Sequence, residues 1–600
     1  MTIDRPFGKW CTCLVLVILL YACGEKADTV SALSVHEVMD SVITRLYAQV
    51  PAEQFDSIDD AFMLRFLTPE EKKVLATRYQ YFRVNVPAVV SLMRHKDQQT
   101  VPFWLEDTGF IRSEKIVKNE EYEYEVWQKQ FEPGLVQLGI NGFDKHRPVY
   151  FVSVGPVNAA DELKITDAFP EQFPTVSMKV GAFTYHDWPG LELTAVPPEL
   201  VGQPLFTTVR GRAREAHVVG AFRETLFPSS ARPDQVMLTW SGDPQTTMDI
   251  QWRTRPGVKG SAVRYWVAGT ADTLEAKAVS NTLQDRMLYN DRYIQRHTAQ
   301  LQALKPGTTY AYTVGAGSGN DWSPAATFGT AEDAGKGFSF IWFGDTHCFL
   351  DSGRMITLAD QQQKDIAFYS IAGDIVSTGL YRDEWDRLFR YSGEAFSRKP
   401  LMPVPGNHDR QDGLGAQLYY DLFSLPHNGP PRVEPEASYA FEYGDALFLM
   451  IDATSEVTDH TAWIEEKLKG TKASWKFAMF HFPPYNFEEP YQDIQQAWVP
   501  LFDKYHVDLV MGGHIHYYMR SNPMAGGNVM NSFDQGTVYT ISISIPSEHN
   551  DIGIEPYAAV RYKDGYFYQR VDIAGDVLSY RTFDDKGTLK DSFTIRKKQK

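Results

Sequence analysis

The chain has 600 residues, with 59 Lys+Arg against 76 Asp+Glu, a net charge of −17, 43% hydrophobic and 22% charged residues. That mixture excludes wholesale disorder and, at about 150 residues per domain, calls for several domains. The acidic balance argues against nucleic-acid binding, because phosphates would be repelled.

At the N-terminus, Arg5 and Lys9 precede an apolar stretch from Trp10 to Ala22. It is short for a membrane-spanning helix and suits the core of a signal peptide. The stretch ends in Leu20-Tyr21-Ala22-Cys23-Gly24, which resembles the lipobox of bacterial lipoproteins. The resemblance implies a signal peptide over 1–22, lipid on Cys23, and an extracytoplasmic protein anchored to a bacterial membrane, periplasmic or at the cell surface. An ordinary secretory signal or an uncleaved anchor is the alternative. Cys11 and Cys13 fall inside the signal, so Cys348 is the one thiol left unmodified, and stability rests on core size rather than disulfides.

Residues 23–230 read as an α+β accessory domain whose role the sequence leaves open. Val35, Val38, Met39, Val42, Ile43, Leu46 and Val50 share a helical face, with Ser34 and Glu37 forming a capping box. A second helix starts at Thr68-Pro69-Glu70-Glu71. The tract Val209-Arg210-Gly211-Arg212-Ala213-Arg214 reads as a linker strand whose arginines pair with local carboxylates, with phosphate or acidic-partner binding as the alternative.

From residue 231 to 332 short β runs follow at regular spacing, over 236–240, 248–254, 262–268, 298–301, 309–314 and 325–328. They predict a β-sandwich acting as scaffold. The segment Leu304 to Tyr310 resembles the tyrosine corner of fibronectin type III domains.

Beyond residue 333 apolar runs repeatedly end in residues able to hold a metal. Phe343 leads into Gly344-Asp345-Thr346-His347, Ala372 into Gly373-Asp374, and Pro405 into Gly406-Asn407-His408-Asp409. Phe480 leads into His481, and Met511 into Gly512-Gly513-His514-Ile515-His516. Ligands collect beyond strand ends in α/β folds. Carboxylates and imidazoles suit Fe, Mn or Zn, and a pair of such ions about 3.5–4 Å apart needs one bridging carboxylate. One metal is assigned to Asp345, His347 and His516, the other to Asn407, His481 and His514, with Asp374 as the bridge.

The order Asp-x-His, Gly-Asp, Gly-Asn-His-Asp, His, Gly-His-x-His resembles the calcineurin-like binuclear metallophosphoesterases, over roughly residues 337–520. The preceding segment, with Gln235 to Trp240 and the Leu304–Tyr310 corner, resembles the N-terminal domain of plant-type purple acid phosphatases, as does Ser438 to Asp445. The implied architecture is α/β: a phosphoesterase β-sandwich core flanked by helices over 333–600, preceded by the all-β and α+β domains. Purple acid phosphatases place an iron-binding tyrosine three residues after the bridging aspartate. Ser377 stands there in this chain and His347 is added, so the resemblance implies the wider metallophosphoesterase type and no purple colour.

In-line hydrolysis of a phosphate ester is the implied reaction, with His408 as general acid or transition-state stabiliser. Asp409 either orients His408 or caps a helix. Tyr485 and Arg520 are expected to line the substrate pocket. A phosphomonoesterase acting on small organic phosphates is expected, with a phosphodiesterase for nucleotides or lipid head groups as the alternative. A non-catalytic surface-binding protein is the reading from a different class, and the complete ligand set argues against it.

Overall fold

The computed structural model describes residues 33–187, 191–316, 321–333, 335–488, 491–547 and 552–597. The expected signal peptide and Cys23 lie outside the described residues.

Helix Val35–Gln49 forms as its capping box predicts, with Ser34 and Glu37 satisfying each other's backbone N–H groups. Helix Pro69–Thr77 repeats the device with Thr68 and Glu71. Their apolar faces join Phe82, Val90, Trp104 and Val152 in a core of their own. A three-stranded and a seven-stranded sheet, both antiparallel throughout, complete this region. Residues 210–214 depart from the expected linker strand: Arg210–Arg214 is a 3-10 turn. Two of its arginines do pair locally, Arg210 with Asp187 and Arg212 with Glu215.

Two four-stranded antiparallel sheets follow, one built on Asp234–Thr239 and Met248–Thr254, the other on Ser261–Val267 and Thr309–Ala316. Ile250, Trp252, Tyr312 and Val314 are fully buried in their core, a Val or Ile side chain contributing about 1.5–3 kcal/mol of apolar transfer energy, while Trp240 packs onto Phe368, Phe441 and Tyr443 of the next region. Tyr310 closes the expected corner, its hydroxyl accepting from the Lys305 N–H at 2.9 Å. Strands Leu274–Lys277 and Val279–Gln284 lacked an apolar signature because nearly every residue in them faces water.

The last region is a sandwich of a five-stranded and a seven-stranded sheet. Strands β1 (Phe338–Phe343) and β2 (Phe368–Ile371) run parallel in the first sheet. The short helix α1 (Asn407–Arg410) follows an extended segment bridged to β2 at Tyr369–Leu401 and Ala372–Val404. In the second sheet β3 (Trp475–Phe480) and β4 (Leu509–Gly512) are also parallel neighbours. Parallel pairing puts successive C-terminal strand tips side by side, so all five motifs meet where the sheets adjoin. This sandwich and the smaller one share a single hydrophobic core.

A candidate binuclear metal centre

The loops beyond β1 and β2 are laced together. Thr346 and His347 donate their N–H groups to Asp374 O at 3.1 and 2.9 Å, and Cys348 donates to Ile375 O at 2.9 Å. This lacing holds His347 (φ 44°) and Asp374 (φ 47°) in left-handed backbone that non-glycine residues avoid, and His514 (φ 68°) is held in the same region by its N–H donating to Asp345 Oδ1 at 2.8 Å. Gly406 has to be glycine because a Cβ there would run into Asp374 Oδ1 and N and lie 2.9 Å from its Cγ.

Ligand-capable atoms of Asp345, His347 and His516 lie within 4.8 Å of one another, and so do those of Asp374, His481 and His514. Asp374 Oδ2 joins the two groups, 3.1 Å from His481 Nε2 and 3.9 Å from His347 Nε2. Asn407 Oδ1 completes the second group at 3.1 Å from His481 Nε2. His481 Nδ1 is 2.8 Å from the Ala372 carbonyl, which fixes its N–H there and leaves Nε2 for a ligand. The structure thus brings all seven expected ligands together.

The electrostatics agree with a site built for positive charge. Burial disfavours ionised Asp374, yet His481, His408 and His347 outweigh it and hold its carboxyl well below the usual carboxylate range. Burial likewise works against the His481 imidazolium, but Asp374 and Asp345 keep its pKa up at about 9. Among the described residues, His347 Nε2 is buried without a hydrogen-bond partner, and buried Asp345 Oδ2 faces only His516 Nε2, at 3.2 Å, and His347 Nε2, at 3.8 Å. Buried polar atoms left this way are costly unless something compensates them. Two cations fit the donor set, one in each group. His516 keeps its side chain 39% exposed, so the centre opens to solvent.

His408 sits beside both groups, with a ring nitrogen within 4.8 Å of the ligand atoms of His347 and Asp374. Its Nδ1 lies 2.7 Å from the Ser377 carbonyl, so Nδ1 carries the proton of that bond. Ser377, the residue in the place of the missing tyrosine, therefore orients His408 through its backbone. Asp409 does not: its carboxylate accepts from the N–H groups of Gly406, Ile375 and Val376 at 2.8, 3.2 and 3.1 Å. Burial and neighbouring Asp374 push the Asp409 carboxyl up to about 8, against the pull of those three donors. It caps α1 and ties it to the Asp374 loop.

The structure gives the two expected pocket residues other partners. Arg520 is buried and forks onto Asp591 at 2.6 and 3.1 Å, with its guanidinium over the Phe593 ring, which commits it to an ion pair in the core. Tyr485 packs its ring against Tyr539 and Tyr557, at 4.7 and 5.5 Å between centroids, as part of an apolar cluster. Instead Phe482 and Tyr491 flank the centre, stacked at 4.8 Å and edge-on to His514 at 4.7 and 6.0 Å. Their aromatic character beside His481 was visible in the sequence; their convergence on His514 was not.

The fold and the ligand set are those of a metal-dependent phosphoester hydrolase. Residues 233–330 match the family model of the purple acid phosphatase N-terminal domain, and residues 338–518 that of the calcineurin-like phosphoesterases. The chain is 24% identical over 318 residues to Fe(3+)-Zn(2+) purple acid phosphatase 12 of Arabidopsis thaliana, covering 49% of this chain and 66% of that one. It is 25% identical over 390 residues to Uncharacterized protein Rv2577 of Mycobacterium tuberculosis, covering 55% of this chain and 73% of the relative. Purple acid phosphatase PPD1 from yellow lupin (Lupinus luteus) seeds shares the fold, with a TM-score of 0.52 at 14% identity over 87% of this chain and 91% of that one.

Proposed function

We propose that the protein is a phosphomonoesterase that releases phosphate from small organic phosphates outside the cytoplasm, held at a membrane by lipid on Cys23. The observation that carries the reading is the convergence of seven ligand side chains in two groups joined by Asp374 Oδ2. Two ions of Fe, Mn or Zn bound there would supply Lewis acidity toward the phosphoryl oxygens and an activated water. The chain's own residues do the rest. The solvent-open side at His516 admits the ester. His408, locked on Ser377 O, is placed to hand a proton to the leaving oxygen. Asp374 Oδ1 accepts from the backbone N–H of His408 at 2.9 Å, which fixes the His408 main chain against the bridging aspartate.

Paired assays on p-nitrophenyl phosphate and bis(p-nitrophenyl) phosphate, with protein of measured metal content, test the reaction. Preferential hydrolysis of the monoester is expected; cleavage of the diester alone would assign a phosphodiesterase instead. Recovery in the membrane fraction, abolished by Cys23→Ser, tests the anchor; an unchanged soluble protein would refute it.

A further inference from the structure

We infer that Arg214, together with Arg147, is a positioning residue for His408, so that the accessory domain sets the geometry of the general acid. The inference rests on the role given to His408 above.

Helix α1 has four residues, too few to hold itself. It runs directly into Gln411 (φ 45°), Asp412 (φ 50°) and Gly413 (φ 77°). Strained backbone of this kind persists only where its surroundings fix it, and here the surroundings belong to the accessory domain. The Arg147 guanidinium forks onto Asp412, with Nε at 3.2 Å from Oδ2 and Nη2 on Oδ1. Arg214 reaches Asp412 Oδ2 at 3.4 Å and Gln411 Oε1 at 3.1 Å. The Gly211 N–H donates to Asp412 O at 3.0 Å, and a Cβ on Gly211 would lie 2.6 Å from that oxygen. The Asp412 side chain is 3% exposed, so breaking these pairs would strand a buried charge.

The same Arg214 holds the opposite loop. Its Nη1 is 3.3 Å from Tyr381 Oη, and Arg223 stacks on that ring at 3.8 Å. Tyr381 ends the stretch from Ser377, whose carbonyl accepts from His408 Nδ1, through Gly379, whose N–H donates to His408 O at 2.8 Å. Arg214 therefore bridges the two loops that grip His408 by ring and by backbone. A planar guanidinium with several donors can span both loops, whereas an ammonium cannot.

Arg214→Ala is expected to lower kcat on p-nitrophenyl phosphate by about 10- to 100-fold, the scale of a misplaced catalytic group. KM should stay within about twofold and metal content should be unchanged. In the metal-loaded protein, amide hydrogen exchange across residues 406–415 should quicken at least about tenfold. Arg214→Lys should recover only part of kcat, and Lys96→Ala, on an exposed accessory-domain pair with Glu123, should match wild type. If Arg214→Ala does not fold, Asp412→Asn takes its place with the same readouts. A kcat within twofold of wild type, a loss fully explained by metal content, or unchanged exchange would each overturn the inference. A wild-type protein without turnover would sink the proposed function instead, and the exchange measurement would still decide this one.

Discussion

Replacing Gly406 by alanine tests how tightly the centre is assembled. The backbone of Gly406 is extended (φ −109°, ψ −179°), so alanine meets no conformational strain. The added methyl meets Asp374 instead, 2.9 Å from its Cγ. Carbon atoms in contact prefer about 3.5–4.0 Å and the methyl overlaps Asp374 Oδ1 and backbone N more tightly still, so the α1 loop and the Asp374 loop must part by roughly 1 Å or more. Overpacking of this kind costs about 1–3 kcal/mol of stability. The parting also separates Asn407 and His408 from Asp374, and a displacement near 1 Å at a reacting centre costs on the order of 10²-fold in rate, about 2.7 kcal/mol of barrier. Gly406→Ala should therefore fold, melt at a lower temperature and lose about two orders of magnitude in kcat on p-nitrophenyl phosphate. Gly470→Ala, at the end of a helix with open space around it, should behave as wild type. Wild-type turnover by Gly406→Ala would refute the close packing of ligand loops described here.

Burial pushes His146, His217 and His297 down to about 4. Their pKa values are depressed in the folded chain, so the unfolded chain takes up protons first and stability is lost as pH falls from about 6.5 to about 4. For His217 the loss is on the order of 2–3 kcal/mol. Urea midpoints from pH 7 to 4.5 should fall and flatten in His217→Gln; a pH-independent midpoint would contradict this. Arg520→Met leaves Asp591 buried and unpaired, so it should destabilise by about 3–5 kcal/mol with KM unchanged in whatever folds; a raised KM in a stable variant would restore Arg520 to the pocket. With Ser377 in the tyrosine position, iron-loaded protein should show no visible phenolate charge-transfer band, and such a band in its absorption spectrum would show a phenolate ligand supplied from elsewhere.

The metal centre was legible because each ligand follows an apolar run at the tip of a strand, and parallel strands place their tips together whatever the details between them. The capping boxes at Ser34 and Thr68 were legible because they involve only residues three apart. Long-range partners were not. Arg520 and Asp591 are 71 positions apart, and nothing local distinguishes an arginine bound for the core from one bound for a substrate. Arg210 and Arg212 found carboxylates nearby, as charge pattern suggested, whereas Arg214 reaches Asp412 across 198 positions. The Asp409 role turned on whether its carboxylate met an imidazole or three backbone N–H groups, a choice made by the fold of the Asp374 loop.

The number of metal ions held per chain reads out the shared aspartate. Purified protein reconstituted with Zn, Mn or Fe and measured by elemental analysis should hold two ions per chain, and Asp374→Ala should hold one or fewer. A single ion in the wild type, or two retained after Asp374 is removed, would contradict a pair of cations shared by that aspartate.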